Sequence, residues 1–93
     1  MHKYELKNRG YNFEKVLEKV SIIFELEEDY ITGRGRQQDR VKARDLLCYW
    51  CAIKLGMSMA ELAKRLELTI AAVSCAVRRG EKAAKEADYV LEG

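Results

Sequence analysis

Residues 58–80, SMAELAKRLELTIAAVSCAVRRG, constrain the fold most, because two helix patterns follow each other with almost nothing between them. Ser58 is an N-cap residue, and Glu61 three positions later completes a capping box. Leu62, Ala63 and Leu66 make one apolar stripe. Thr69 offers a second cap, and Val73, Ala76 and Val77 make the buried stripe of the next helix. Only Leu66, Glu67 and Leu68 remain for the turn. Helices joined so closely cross steeply, the helix-turn-helix arrangement, which can place its second helix in a DNA major groove. All-α proteins that bind no nucleic acid share this local pattern, so it speaks to fold before function.

The rest of the chain agrees with helices. Proline is absent, and the glycines, 10, 33, 35, 56, 80 and 93, fall at expected element ends. An apolar fraction of 48% argues for a packed domain rather than disorder. Residues 1–11 read as a ragged lead-in, with no apolar core of the kind a signal peptide has. Asn12 is an expected N-cap, and Phe13, Val16, Leu17, Val20, Ile23, Phe24 and Leu26 predict an amphipathic helix over 13–27. Tyr30 and Ile31 read as apolar plugs in a connection. A long helix follows over 37–55, with Val41, Leu47, Cys48, Cys51, Ala52 and Leu55 facing inward, and Gly56 as its cap. Leu46 to Leu55 is apolar almost all round, which makes this the central buried helix. Gly80 is expected to end the second helix of the pair, and 81–90 to form a last, weakly amphipathic helix through Ala84, Ala87, Val90 and Leu91. The expectation is one all-α domain of about five helices.

Charge is distributed unevenly. Residues 34–56 carry six basic and two acidic side chains, whereas residues 1–33 carry five and seven. Arg34, Arg36, Arg40, Lys42 and Arg44 lie within eleven positions, opposed only by Asp39. Arg40 and Arg44 share a helix face, and Arg34 and Arg36 lie in the loop before it. Cations beside a helix start suit a phosphate, because the free N–H groups and the dipole also favour an anion. The competing expectation is a solvated charged face, or pairing of Arg40 and Arg44 with Glu25, Glu27, Glu28 and Asp29. The glycines of Thr32-Gly33-Arg34-Gly35-Arg36 are too few for a nucleotide phosphate loop.

Other chemistry finds little support. Cys48 and Cys51 form Cys-Tyr-Trp-Cys, but zinc wants four ligands, and only Cys75 and His2 remain as candidates. A redox pair belongs at a helix start after a strand, whereas these two lie inside a helix. An odd number of cysteines with no secretion signal points to a reducing compartment such as the cytoplasm. No apolar run reaches the ~18 residues of a membrane span. No cofactor, metal, small-molecule substrate or catalytic set is expected, so the chain reads as a non-enzyme.

The order of features resembles the C-terminal DNA-binding domain of the bacterial replication initiator DnaA, which is all-helical and related to the Trp repressor. The matching residues are Arg34, Gly35 and Arg36; Val41, Lys42, Ala43 and Arg44; Tyr49; Leu62; and Val73, within a stretch from Asn12 to Glu86. The chain is also similar to the DnaA-like tail of some bacterial transposases of the repetitive-palindrome type. The resemblance implies a helix-turn-helix in the major groove and a basic loop on an adjacent groove and backbone. It implies a DNA-docking module of a transposase-like, replication or regulatory protein. Two features depart from the family. Thr69-Ile70-Ala71-Ala72-Val73 stands where DnaA carries Asp-His-Thr-Thr-Val, so the initiator's target does not carry over. The transposases' His-hydrophobic-His metal pair has no counterpart, His2 being the only histidine.

With Val73 inward and about 100° per residue, Ala71, Cys75, Arg78 and Arg79 point outward, with Ala72 and Ser74 on the flanks. Base reading then falls to Thr69, Ile70, Ala71 and Ser74, with Arg78 late in the helix and phosphates dominating affinity. The expected partner is double-stranded DNA. The alternative is an all-α protein–protein interaction module, in which the acidic first and last helices matter.

Overall fold

A computed structural model describes residues 12–33, 35, 37–87 and 89. All regular structure among them is helical. Helix α1 spans Phe13–Phe24, α2 Glu28–Thr32, α3 Gln38–Tyr49, α4 Met59–Leu66 and α5 Ile70–Ala87. A π-helical turn, Trp50–Lys54, continues α3.

The capping residues expected for α1, α4 and α5 act as such. The Asn12 Oδ1 accepts from the Lys15 N–H at 2.9 Å, the Ser58 Oγ from Glu61 at 3.0 Å, and the Thr69 Oγ1 from Ala72 at 3.0 Å. Each satisfies one of the donors that a helix start leaves open. Helix α1 ends at Phe24 rather than at residue 27, because Glu25 turns left-handed at φ 55° and the Leu26 N–H closes back on the Ser21 carbonyl at 3.1 Å. Glu67 does the same after α4, at φ 57°, with Leu68 bonded to Ala63. The connection after α1 contains a one-turn helix, α2, whose Ile31 is fully buried as an apolar plug.

Helix α3 with its π turn is the hub. Between them they touch all four other helices, and the most extensive contact is between α3 and α5. Ala43, Leu46, Leu47, Cys48, Trp50, Cys51, Ala52 and Leu55 are buried. Burying each large member is worth about 1.5–3 kcal/mol. The expected single helix over 37–55 is thus α-helical to Tyr49 and π-wound beyond it. There the Leu55 N–H reaches back five residues to Trp50, and Gly56 takes φ 74° after the turn. Val41, expected in the core face, is half-buried, and Asp45 is buried in its place.

The described residues form five helices, but not the expected set. Helix α5 does not stop at Gly80; it runs on unbroken to Ala87. Gly80 is buried, and a Cβ there would overlap the Asp45 backbone carbonyl and lie 2.7 Å from the Tyr49 Cβ. The residue is glycine because α5 crosses α3 at that point, not because a helix ends there. The parts of the last helix expected at Val90 and Leu91, and the lead-in over 1–11, lie outside the described residues. No helix among the described residues is long and apolar enough to cross a membrane.

Candidate nucleic-acid interface

The start of α5 has the phase read from its sequence. Val73, Ala76 and Val77 are buried, and Leu62, Ala63 and Leu66 of α4 are buried as well. Thr69, Ile70 and Ala71 are exposed, Ile70 at 55%, and Ser74 and Cys75 are half-exposed. This surface is small, weakly polar and bordered by one branched apolar side chain. The Thr69 oxygen is engaged in capping, which leaves its hydroxyl hydrogen for an acceptor. Arg78 is exposed, with its Nη2 3.7 Å from the Cys75 sulfur.

Arg79 is placed differently from Arg78. It forms a fork on Asp45 of α3, Nε to Oδ2 at 3.0 Å and Nη2 to Oδ1 at 3.1 Å. The Asp45 side chain is only 8% exposed and that of Arg79 is 57% exposed. Burial pushes the Asp45 carboxyl above its ordinary value, and the Arg79 hydrogen bonds and charge oppose this without cancelling it. The same bonds raise Arg79 further. Helix α5 is therefore pinned to α3 twice in succession, by the fork at Arg79 and by the close approach at Gly80. Sequence reasoning missed Asp45. Its signal was position: four residues after Val41 and three before Cys48, it lies on the core face, where a carboxylate needs a cation.

The basic segment is organised around α2. Arg44 donates to three carbonyls, from Nη2 to Gly33 at 2.6 Å and Gly35 at 3.5 Å, and from Nε to Ile31 at 3.4 Å. Burial and then the neighbouring Arg40 charge lower its pKa, yet a guanidinium stays charged at any working pH. Arg44 therefore fastens the loop to α3. The Arg40 guanidinium stacks over the Tyr30 ring at 4.1 Å and packs against Gly35. Gly35 takes φ 141°, which L side chains rarely adopt, and a Cβ there would displace the end of the Arg40 side chain. The Tyr30 hydroxyl donates to Asp39 at 2.9 Å, a bond that raises the Tyr30 pKa because it favours the protonated phenol. Arg34 and Arg36 lie outside the described residues.

One groove joins these parts. Gly35 and Arg44 line it from the basic segment, and Leu68, Ala72, Ala76 and Arg79 from the turn and α5. Eight of the candidate residues, Thr69, Ile70, Ala71, Ser74, Cys75, Arg78, Arg79 and Arg44, thus lie on α5, its cap or the groove beside it, and Arg40 packs next to Gly35. Cys48 and Cys51 are fully buried, and burial pushes the Cys48 thiol up to about 12 and the Cys51 thiol upward as well. No group of three or more His, Cys, Asp or Glu among the described residues is arranged to hold a metal ion. Compared with known proteins, the chain matches no family model, no curated protein and no solved structure.

Proposed function

We propose that this chain binds double-stranded DNA, without chemistry of its own, through α4, its turn and α5 acting as a helix-turn-helix. The start of α5 enters the major groove, and the basic segment before α3 holds the phosphate backbone beside it. The observation that carries this reading is the groove in which Gly35 faces Ala72 and Ala76. Arg44 lines the same groove from the basic side, and Leu68 lines it from the turn before α5. The resemblance to the DnaA C-terminal domain and to DnaA-like transposase tails supports the same reading. It makes the chain a docking module of a transposase-like, replication or regulatory protein.

In this arrangement Thr69, Ile70, Ala71 and Ser74 meet base edges, with Ile70 and Ala71 suited to thymine methyl groups. Cys75 and Arg78 follow on the same face. Arg34, Arg36 and Arg40 serve the backbone, and Arg44 and Arg79 hold the loop and helix that do the contacting.

Selection of bound duplexes from a random pool, repeated at two salt concentrations, tests the proposal. An enriched core sequence, with affinity falling steeply as salt rises, is the expected result. Failure to retain any duplex at low salt overturns it in favour of a protein-interaction module.

A further inference from the structure

The unbroken course of α5 past Gly80 changes which cations line up with its exposed start. At about 100° per residue, Ala71, Cys75, Arg78 and Lys82 fall within about 60° of one another. Lys82 lies about 16 Å along the axis from Ala71. A helix with its start in a groove about 12 Å wide meets a sugar-phosphate strand before that distance is covered.

Lys82 does not stand by itself. A second cleft opens between α3 and the last turns of α5, with Lys42 on its α3 side and Lys82 on its α5 side. Both side chains are exposed. The floor is apolar, with the Phe24 and Tyr89 rings edge to face at 5.7 Å. The Asp45–Arg79 pair lines both this cleft and the groove beside Gly35. That pair compensates its own charges, and Lys85 is engaged with Glu81 at 3.4 Å. The rim that faces outward is then Lys42 and Lys82, opposed by Glu86.

We propose that Lys42 and Lys82 form a second phosphate-contact site, which holds the duplex backbone where α5 leaves the groove. This rests on the DNA-binding reading above. An ammonium on a flexible stem serves a phosphate as a point charge, and two of them from different helices converge on one cleft. Glu86 in the same cleft weakens the site.

The test is a salt titration of the whole chain on one selected duplex and one scrambled duplex, for Lys42→Gln, Lys82→Gln, Glu86→Gln and Lys15→Gln. Lys15, on α1, controls for loss of charge alone. Lys42→Gln and Lys82→Gln should each lower the slope of log affinity against log salt by about 0.9 on both duplexes. Their defect relative to the parent should shrink about 3.5-fold between 50 and 200 mM salt by the same relation. Glu86→Gln should tighten both duplexes, and Lys15→Gln should leave the slope unchanged. If the Lys42→Gln and Lys82→Gln slopes match that of Lys15→Gln while the parent still binds, this site is overturned and the DNA reading stands. If the parent itself shows no salt-dependent binding, both fall.

Discussion

Gly80 shows how much one missing methyl group decides. In an exposed helix interior, alanine is more stable than glycine by about 1 kcal/mol. Here a Cβ would run into the backbone of Asp45, which cannot rotate away as a side chain end can. The two central helices must separate to accept it, and overpacking of this kind costs about 1–3 kcal/mol. Gly80→Ala is therefore expected to lower the melting temperature by several degrees, against the direction of helix propensity. A melting curve decides it, and a rise would mean that α3 and α5 do not approach as closely as described. Asp45 next to this contact has a second constraint, since its carboxylate is buried and held by Arg79. Removing one partner of such a pair costs far more than the pair itself contributes.

Within α5 the two faces serve different ends, and single changes separate them. Val73 is fully buried, and an unpaired carboxylate there costs several kcal/mol. Val73→Asp is expected to unfold the domain, with loss of helical circular dichroism at room temperature. Ala71 is exposed two positions earlier. Ala71→Gln is expected to leave the melting temperature within about a degree or two, since surface changes are usually within ±0.5 kcal/mol. It should change the ratio of affinities for the preferred and scrambled duplexes at fixed salt, because it adds an amide that can read adenine. An unchanged ratio with an intact fold removes the start of α5 from base recognition.

For the whole molecule, the buried thiols couple stability to alkaline pH. The Cys48 pKa is raised to about 12 from an ordinary value of 9.0, and Cys51 is raised as well. A raised folded pKa means that the stability is complete below the unfolded value and is lost as pH rises toward the folded one. Between about pH 9 and 12 the unfolded chain releases protons that the folded chain keeps. Each such thiol then removes up to about 1.4 kcal/mol per pH unit. Denaturation midpoints should change little between pH 7.5 and 9 and fall between pH 9 and 11. Cys48→Ala with Cys51→Ala should be less stable at pH 7.5 and flatter above pH 9. A double variant with the parent's alkaline slope would contradict this.

What the sequence by itself determined is local. The caps at Asn12, Ser58 and Thr69 act within three residues, and the stripes of α1, α4 and α5 repeat within one or two turns. The absence of proline leaves helices as the economical structure throughout, and the all-α class follows from that. Glu67, the middle residue of the three-residue turn, takes the left-handed conformation. What only the tertiary structure decided depends on partners far apart in the chain. Asp45 and Arg79 are 34 residues apart, and Gly80 meets its reason for being glycine on another helix. In the sequence that glycine is indistinguishable from a helix terminator. Arg44 is likewise indistinguishable from a phosphate ligand until the carbonyls of Ile31, Gly33 and Gly35 are seen around it. A cation or a missing side chain carries no mark of its partner. Periodicity tells which face turns inward, and packing alone decides what that face meets.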